Sequence, residues 1–166
     1  MAKTMLTKNF SLEEMERSNR ANALRISNRA GKEQVANLTQ LCQKVLQPLR
    51  EHFNTPIRVT SGYRCPLLNE KVGGVANSQH MLGEAADITG RFWEYTPRID
   101  QLMILVQWAA WIMQHCMYDQ VILEDDGTSF WLHVSCKHDV KNNRMQFRTI
   151  GINTQPLEKK PVSSEA

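Results

Sequence analysis

The spacing of apolar positions divides the chain into helical and strand-like stretches. A helical period runs from Val35 to Phe53, and a second runs from Pro97 to about His115. Pro48 lies inside the first period and is expected to kink that helix, because an interior proline lacks the amide donor. Ser11-Leu-Glu-Glu14 has the spacing of a capping box and predicts a short helix over residues 12–18.

Shorter apolar runs between these helices predict strands. The runs are residues 57–60, 84–88, 119–124, 130–135 and 146–150. The turn-rich residues 125–129 predict a hairpin between the third and fourth runs. Residues 19–32 form a polar stretch without a helical period, and the glycine-containing stretch 65–79 is expected to be rich in loops. Helices flanking a small, mainly antiparallel sheet give the predicted fold class, α+β.

The length of 166 residues fits one domain, predicted over residues 1–152. Residues 153–166, rich in Pro, Lys and Ser, are expected to form a disordered tail. No apolar run approaches the ~18 residues of a membrane helix, so no membrane insertion is expected. The first ten residues lack the apolar core of a secretory signal. We therefore expect cytoplasmic synthesis, and any action outside the cell would require release by another agent.

Charge and cysteine content exclude two further classes of protein. The net charge of +3 is scattered and too small to indicate a nucleic-acid partner. No C-x-x-C pair occurs among Cys42, Cys65, Cys116 and Cys136, so a zinc knuckle is disfavoured and four free thiols are expected. Cys42 and Cys116 fall in helical patterns and are predicted core residues. A bridge between Cys65 and Cys136 remains an alternative.

Two histidines and an aspartate form a predicted metal site. His80 and Asp87 flank Gly83, and a turn there would let both side chains converge. His133, on a predicted strand, would supply a third ligand. Two imidazoles and a carboxylate suit Zn²⁺, and three protein ligands leave the fourth position for water, as in catalytic zinc sites. A single loop histidine is more often hydrogen-bonded than a ligand, so the spacing alone leaves both interpretations open.

A set of motifs strengthens the metal interpretation. In chain order they are Ser61-Gly-Tyr-Arg64, Asn69, Ser78-Gln-His80-Met-Leu-Gly83-Glu-Ala-Ala-Asp87 and Trp131-Leu-His133-Val-Ser135. This set resembles the peptidase M15 family of zinc D-Ala-D-Ala carboxypeptidases and endopeptidases, above all its short bacterial and phage branch. The run from His80 to Thr89 is also similar to the zinc-site run of the hedgehog signalling domain. The resemblance implies the hedgehog/DD-peptidase fold and one zinc ion per chain, bound by His80, Asp87 and His133.

A zinc peptidase also needs a carboxylate that accepts and returns a proton. Many members of the family place an Asp three residues before the last His, where this chain has Phe130. The similarity of residues 119–124 to a hedgehog strand favours Glu124 as the general base, with Asp125 and Asp126 as alternatives. A one-residue slip of the hairpin register would turn Glu124 to the other face of the sheet.

The resemblance implies that Arg64 anchors substrate or stabilises an oxyanion, roles that suit a guanidinium. Ser78 is expected to orient the metal loop. Ser78, Tyr63 and Trp131 are also predicted to contact substrate, although core packing would account for both aromatic residues equally well. Several members carry a further His just upstream of the final ligand. Here residues 129–131 are Ser, Phe and Trp.

The function implied is zinc-dependent hydrolysis of a peptide bond in peptidoglycan stem peptides or cross-links, as a carboxypeptidase or an endopeptidase. We expect a monomer, and a phage or prophage lysis enzyme that acts on the cell wall after release, with a secreted toxin as another origin. The alternative is a non-catalytic, zinc-containing module that binds cell wall or protein, which the missing Asp and His favour. A third hypothesis is a metal-free structural domain of a phage particle.

Overall fold

The computed structural model describes residues 3–152, which form a five-stranded sheet and several helices. The α-helices are α1 (Leu12–Glu16), α2 (Asn19–Ala23), α3 (Lys32–Leu41), α4 (Gln47–Phe53), α5 (Pro66–Lys71), α6 (Gln79–Leu82) and α7 (Arg98–His115). A π-helical turn, Cys42–Leu46, joins α3 to α4. The strands are β1 (Ile57–Ser61), β2 (Ala85–Gly90), β3 (Gln120–Asp125), β4 (Phe130–Ser135) and β5 (Gln146–Ile150).

The sheet has the strand order β1-β2-β4-β3-β5. All neighbouring strands are antiparallel except β3 and β5, which are parallel. The predicted α+β class with a mainly antiparallel sheet is therefore confirmed. The pairing register sets Ser61, Asp87, His133 and Ile122 side by side on four adjacent strands. Since directly opposed residues share a face, these four side chains lie on one face of the sheet.

The other face of the sheet carries the hydrophobic core. Its strand residues alternate with those of the first face and are buried: Ala86, Ile88, Val121, Leu123, Leu132 and Val134. Helix α7 packs on β3 and β4 from this side, and contributes buried Leu105, Trp108 and Ile112. The apolar strand residues of this face leave the polar side chains of Asp87 and His133 together on the opposite face.

The first long helical stretch is interrupted earlier than predicted. Helical backbone spans residues 32–53 and contains a π turn at Cys42–Leu46, just before Pro48; a kink at Pro48 stays a prediction. The N–H of Gln47 donates to the carbonyl of Cys42, five residues back. Pro48 follows directly and has no N–H to donate. The helix therefore lacks one backbone hydrogen bond at Pro48, directly after the wider π turn.

Two stretches for which no helix is predicted contain short helices, and the prediction of a loop-rich stretch over residues 65–79 is wrong in part. Helix α2 lies within residues 19–32, where the Ser18 side chain accepts a hydrogen bond from the N–H of Ala21. Helices α5 and α6 lie within or begin in residues 65–79, with Pro66 at the start of α5. One turn of polar helix shows no apolar period, so only caps and proline position signal it.

Other predictions concern the N-terminal cap, the thiols, the membrane and the tail. The Ser11 side chain accepts from the N–H of Glu14 as the capping box predicts, although Glu13 rather than Glu14 reaches back, to the N–H of Thr4. All four cysteines are free thiols, as expected. No helix in residues 3–152 is long and apolar enough to cross a membrane. The tail predicted for residues 153–166 lies outside the described range.

Candidate metal centre

Three potential ligands converge on one face of the sheet. Asp87 of β2 and His133 of β4 are directly opposed across the two strands, and His133 Nδ1 lies 3.0 Å from Asp87 Oδ1. His80 comes from α6, and its Nε2 lies 3.4 Å from the same oxygen. One donor atom from each residue lies within 4.8 Å of the others. The sequence-predicted trio is therefore brought together in a geometry that could hold a metal ion.

The backbone around His80 fixes the orientation of its ring. His80 Nδ1 is 2.7 Å from the carbonyl oxygen of Gly62, which favours the tautomer with a proton on Nδ1 and a lone pair on Nε2. The backbone N–H of Arg64 donates to the backbone carbonyl of His80 over 3.1 Å. Ser78 caps α6, because its Oγ accepts from the N–H of His80. The predicted role of Ser78 in orienting the metal loop has this contact as its support.

Gly83 ends α6 and reverses the chain into β2. Its φ of +72° lies in the left-handed region, and a Cβ there would approach the carbonyl oxygen of Gln34 to 2.5 Å. Only glycine satisfies both conditions without strain. Strand β2 begins two residues after Gly83. This sharp reversal of the backbone places Asp87 Oδ1 within 3.4 Å of His80 Nε2.

Arg64 supports Asp87 directly. Its Nη2 donates to Asp87 Oδ2 over 3.0 Å, and its Nε donates to Ser61 Oγ over 2.9 Å. A bulge between Val59 and Ser61 brings the end of β1 into register with Asp87. Arg64 therefore orients a potential ligand, while its predicted contact with substrate remains a prediction.

The electrostatics keep Asp87 ionised. Burial alone would raise the pKa of its carboxyl, but the imidazoles of His80 and His133 outweigh burial and hold that pKa below the ordinary value. The carboxylate is consequently ready to bind a cation. Both Asp87 and His80 are buried, which shields such a cation from bulk water.

Glu124 lies on the same face as the three ligands. It is opposite Trp131 in the β3–β4 register and two residues from Ile122, the partner of His133. Burial and the neighbouring charge of Asp87 raise the pKa of Glu124 above its ordinary value, with partial compensation by His133. Among residues 3–152 Glu124 forms no salt bridge. A half-buried carboxylate with a raised pKa is suited to proton transfer.

The alternative acids are occupied by other contacts. Asp125 accepts two hydrogen bonds from Arg98 Nη2, at 3.0 and 2.8 Å. Asp126 accepts from Thr128 and Ser129 within its own turn, and the Thr128 hydroxyl and these amides lower its pKa to about 2. Asp125 is thus held by a salt bridge and Asp126 by its own turn, whereas Glu124 forms no salt bridge within residues 3–152 and interacts with the Trp131 side chain.

Phe130 faces the core rather than the metal site. It is buried and stands three positions from His133 on a regular strand, so its side chain points to the opposite face. An aspartate at this position would enter the hydrophobic core here. The carboxylate on the metal-site face is instead that of Glu124, which lies on the neighbouring strand β3.

The two predicted aromatic residues differ in placement. Trp131 is half-buried beside Glu124 on the cleft face, whereas Tyr63 is buried in the core cluster and also borders a cleft next to Arg64. Substrate contact by either residue remains a prediction.

Sequence reasoning missed Asn28, Ser61 and the carbonyl of Gly62. Asn28 donates to the carbonyls of Glu16 and Tyr63 and accepts from the N–H of Cys65. These bonds brace the loop that carries Arg64. The polar, aperiodic stretch around Asn28 gave no signal for this role.

Comparison with known proteins adds one match. A family model described as Peptidase M15 matches residues 8–96, more than half of the 166-residue chain. The match includes His80 and Asp87 and ends before Glu124 and His133, whose placement is given by the sheet register. A search of curated proteins found no match.

Proposed function

Because the chain belongs to the peptidase M15 family, we propose that it is a monomeric zinc metallopeptidase that hydrolyses a peptide bond in peptidoglycan stem peptides or cross-links. The observation that carries the proposal is the convergence of His80, Asp87 and His133 on the face of the sheet that also carries the carboxylate of Glu124. Membership of a peptidase family supports a peptide substrate. The motif resemblance to D-Ala-D-Ala peptidases supports the cell-wall assignment and a phage or prophage lysis enzyme.

The donor set fits zinc. Neighbouring ligands on a tetrahedral zinc ion with bonds near 2.1 Å are about 3.4 Å apart. Asp87 Oδ1 lies 3.4 Å from His80 Nε2 and 3.0 Å from His133 Nδ1, so one ion could contact all three atoms after small side-chain rotations. Peptidases of this family generally depend on zinc. When bound, zinc supplies Lewis acidity, which polarises a carbonyl and lowers the pKa of water.

The chain's own residues provide the proton transfers. Glu124 would accept a proton from the attacking water at a carboxylate oxygen and deliver it to the amine nitrogen of the leaving group. Its raised pKa suits both halves of this exchange, because the carboxyl must hold the proton between them. Trp131, opposite Glu124, would limit access of bulk water to that carboxylate.

Arg64 would orient the metal ligand Asp87 and bind substrate at the same time. Its Nη2 and Nε are engaged by Asp87 and Ser61, and within residues 3–152 its Nη1 has no hydrogen-bond acceptor. That N–H group could meet a substrate carboxylate or the negative charge that grows on the carbonyl oxygen. The guanidinium would thus fix the metal ligand and the reacting group relative to each other.

One observation favours a second candidate, a non-catalytic zinc-binding module for cell wall or protein. Ser129 and Phe130 stand where family members carry additional polar side chains, and Phe130 is in the core. The site would then bind metal and ligand without turnover.

Digestion of purified peptidoglycan tests the peptidase proposal. Wild-type protein is incubated with and without a chelator, with zinc restored to a chelated sample, and released peptides are identified by mass spectrometry. We expect zinc-dependent cleavage, and the masses name the bond and separate carboxypeptidase from endopeptidase action. Wall binding without any released peptide, by protein that carries one zinc ion per chain, would favour the binding module instead.

A further inference from the structure

A cleft of about 740 Å³ adjoins the metal centre on the β1 side. It lies between the junction of α1 and α2, strand β1 and helix α5, and Ser61 and Arg64 belong to its lining. Because Arg64 both lines the cleft and donates to Asp87, one side chain links the cleft to the proposed reaction centre. Its volume is within the usual range of ligand-binding pockets.

The lining of this cleft is strongly basic. Within residues 3–152, four arginines border it, Arg17, Arg20, Arg58 and Arg64, and no aspartate or glutamate does. Arg58 pairs loosely with Glu94 at 3.5 Å, and Arg64 pairs with Asp87. Arg17 and Arg20 form no salt bridge with any residue between 3 and 152, although the charge of Glu14 acts on Arg17. The positive charge along this lining is therefore only partly neutralised by the described residues.

The lining also includes apolar residues. Leu68 of α5, Val72 directly after α5, and Tyr63 contribute to it, and Val72 is exposed. A ligand that matches this lining carries both carboxylates and aliphatic groups. Arginine recognises carboxylates through paired N–H donors, and the local concentration of positive charge attracts anions from solution.

We propose that this cleft selects substrates by their free carboxylates: it binds a peptide segment with two or more ionised carboxylates next to the scissile bond. The proposal rests on the proposed function for the identity of the substrate. It predicts that amidation of those carboxylates, which removes charge while keeping the shape of the peptide, weakens binding. Arg17 and Arg20 act as specificity-determining residues, while Arg64 also positions Asp87.

The test compares two peptides by fluorescence anisotropy with the full chain after chelation, so that binding is read without turnover. The first is a labelled stem pentapeptide with free carboxylates at its D-glutamate and at its C-terminal D-alanine. The second is the same peptide with both groups amidated. We expect the acidic peptide to bind about tenfold more tightly, since each ion pair contributes a severalfold gain.

Substitutions assign the preference to the cleft. Arg17→Gln and Arg20→Gln are each expected to weaken binding of the acidic peptide about fivefold and to leave the amidated peptide unchanged. Arg25→Gln is the matched control, because Arg25 is exposed and does not line the cleft. Thermal unfolding of each variant verifies that it is folded.

The results separate this inference from the proposed function. Equal binding of both peptides, binding of neither, or equal effects of the Arg20 and Arg25 substitutions would overturn the inference. If the zinc-loaded protein cleaves both peptides equally well, the peptidase stands and the charge selection fails. If the acidic peptide is preferred but neither the peptides nor purified peptidoglycan are cleaved, the cleft binds as proposed and the peptidase proposal fails.

Discussion

Arg64 contacts the potential metal ligand Asp87, and we propose that it also contacts substrate. The Arg64–Asp87 contact of 3.0 Å is only partly exposed to solvent. Such outer contacts orient a metal-binding carboxylate and typically contribute about 10- to 100-fold to metal affinity. Asp87 without this partner would be free to rotate away from His80 and His133.

Replacement of Arg64 by glutamine should therefore weaken zinc binding by at least about tenfold. Competition with a chromophoric chelator measures the affinity, and Arg58→Gln is the control because Arg58 pairs with Glu94 rather than with Asp87. Unchanged zinc affinity in the Arg64 variant would show that Arg64 does not support the metal site.

Glu124→Gln should lower the rate of peptide cleavage by about 10²- to 10⁴-fold, the usual contribution of a general base. Zinc content should stay at the wild-type level, because Glu124 is not one of the three converging ligands. Asp126→Asn makes the same chemical change in an exposed turn and should leave the rate within about twofold, as is usual for surface substitutions. A comparable loss in both variants would argue against a specific role for Glu124.

At the residue scale, sequence reasoning could name His80, Asp87 and His133 because their motifs are specific. It could not derive the Arg64–Asp87 pair or the bracing by Asn28. Both depend on how separate loops pack, and no spacing within one segment encodes that.

Among the elements, α6 and the turn after it do most to build the site. The helix is one turn long, so its conformation depends on its caps rather than on helix propensity. Ser78 caps one end and Gly83 the other. The short element holds His80 firmly because both ends are fixed.

Gly83→Ala should destabilise the fold by about 2–3 kcal/mol, because a Cβ adds left-handed strain and a close contact with the Gln34 carbonyl. Gly127→Ala is the matched control: φ is +89° there, but no atom lies within 4 Å of the added Cβ, and the expected cost is about 1 kcal/mol. Urea unfolding measures both. Equal losses would mean that the contact with Gln34 contributes nothing.

Element positions followed from apolar periodicity where that period was long. Helix α7 and strands β3 to β5 lie close to their predicted bounds. The parallel pairing of β5 and the π turn before Pro48 were not predictable. Strand direction depends on tertiary pairing, and the π turn depends on how the helix accommodates one missing donor.

For the whole molecule, strand pairing joins the two halves of the site. Asp87 and His133 are 46 positions apart and meet because β2 and β4 pair. The register of the hairpin was the open question for Glu124, and the observed pairing puts Glu124 on the face of His133. The basic cleft escaped sequence reasoning because the α1–α2 junction reaches β1 only in the folded chain, where the Tyr63 N–H donates to the Met15 carbonyl.

Global stability should depend on pH through Asp119. Its side chain is fully buried, and although burial opposes its charge, hydrogen bonds from Arg144 hold the pKa of Asp119 below the ordinary value. Because the folded pKa is the lower one, this stabilisation is complete above about pH 4, the pKa of an unfolded aspartate. It is lost as the pH falls through the folded value.

Asp119→Asn should therefore lower the free energy of unfolding at pH 7 by about 2 kcal/mol, the usual contribution of hydrogen bonds to a charged group, and the difference from wild type should shrink as the pH falls from 5 toward 2. Urea unfolding of both chelated proteins across this range gives the comparison, in which the contribution of Asp87 is common to both. A difference that stays constant with pH would rule out ionised Asp119 as its source.

The most direct measurement of the central claim is a zinc titration of the chelated protein, read as the rate of peptide release from purified peptidoglycan. We expect the rate to rise in proportion to added zinc and to level off at one ion per chain. Glu124→Gln should bind the same single ion and release almost no peptide. A wild-type rate that is independent of zinc, or a Glu124→Gln rate equal to wild type, would contradict hydrolysis by a metal at His80, Asp87 and His133 with Glu124 as the base.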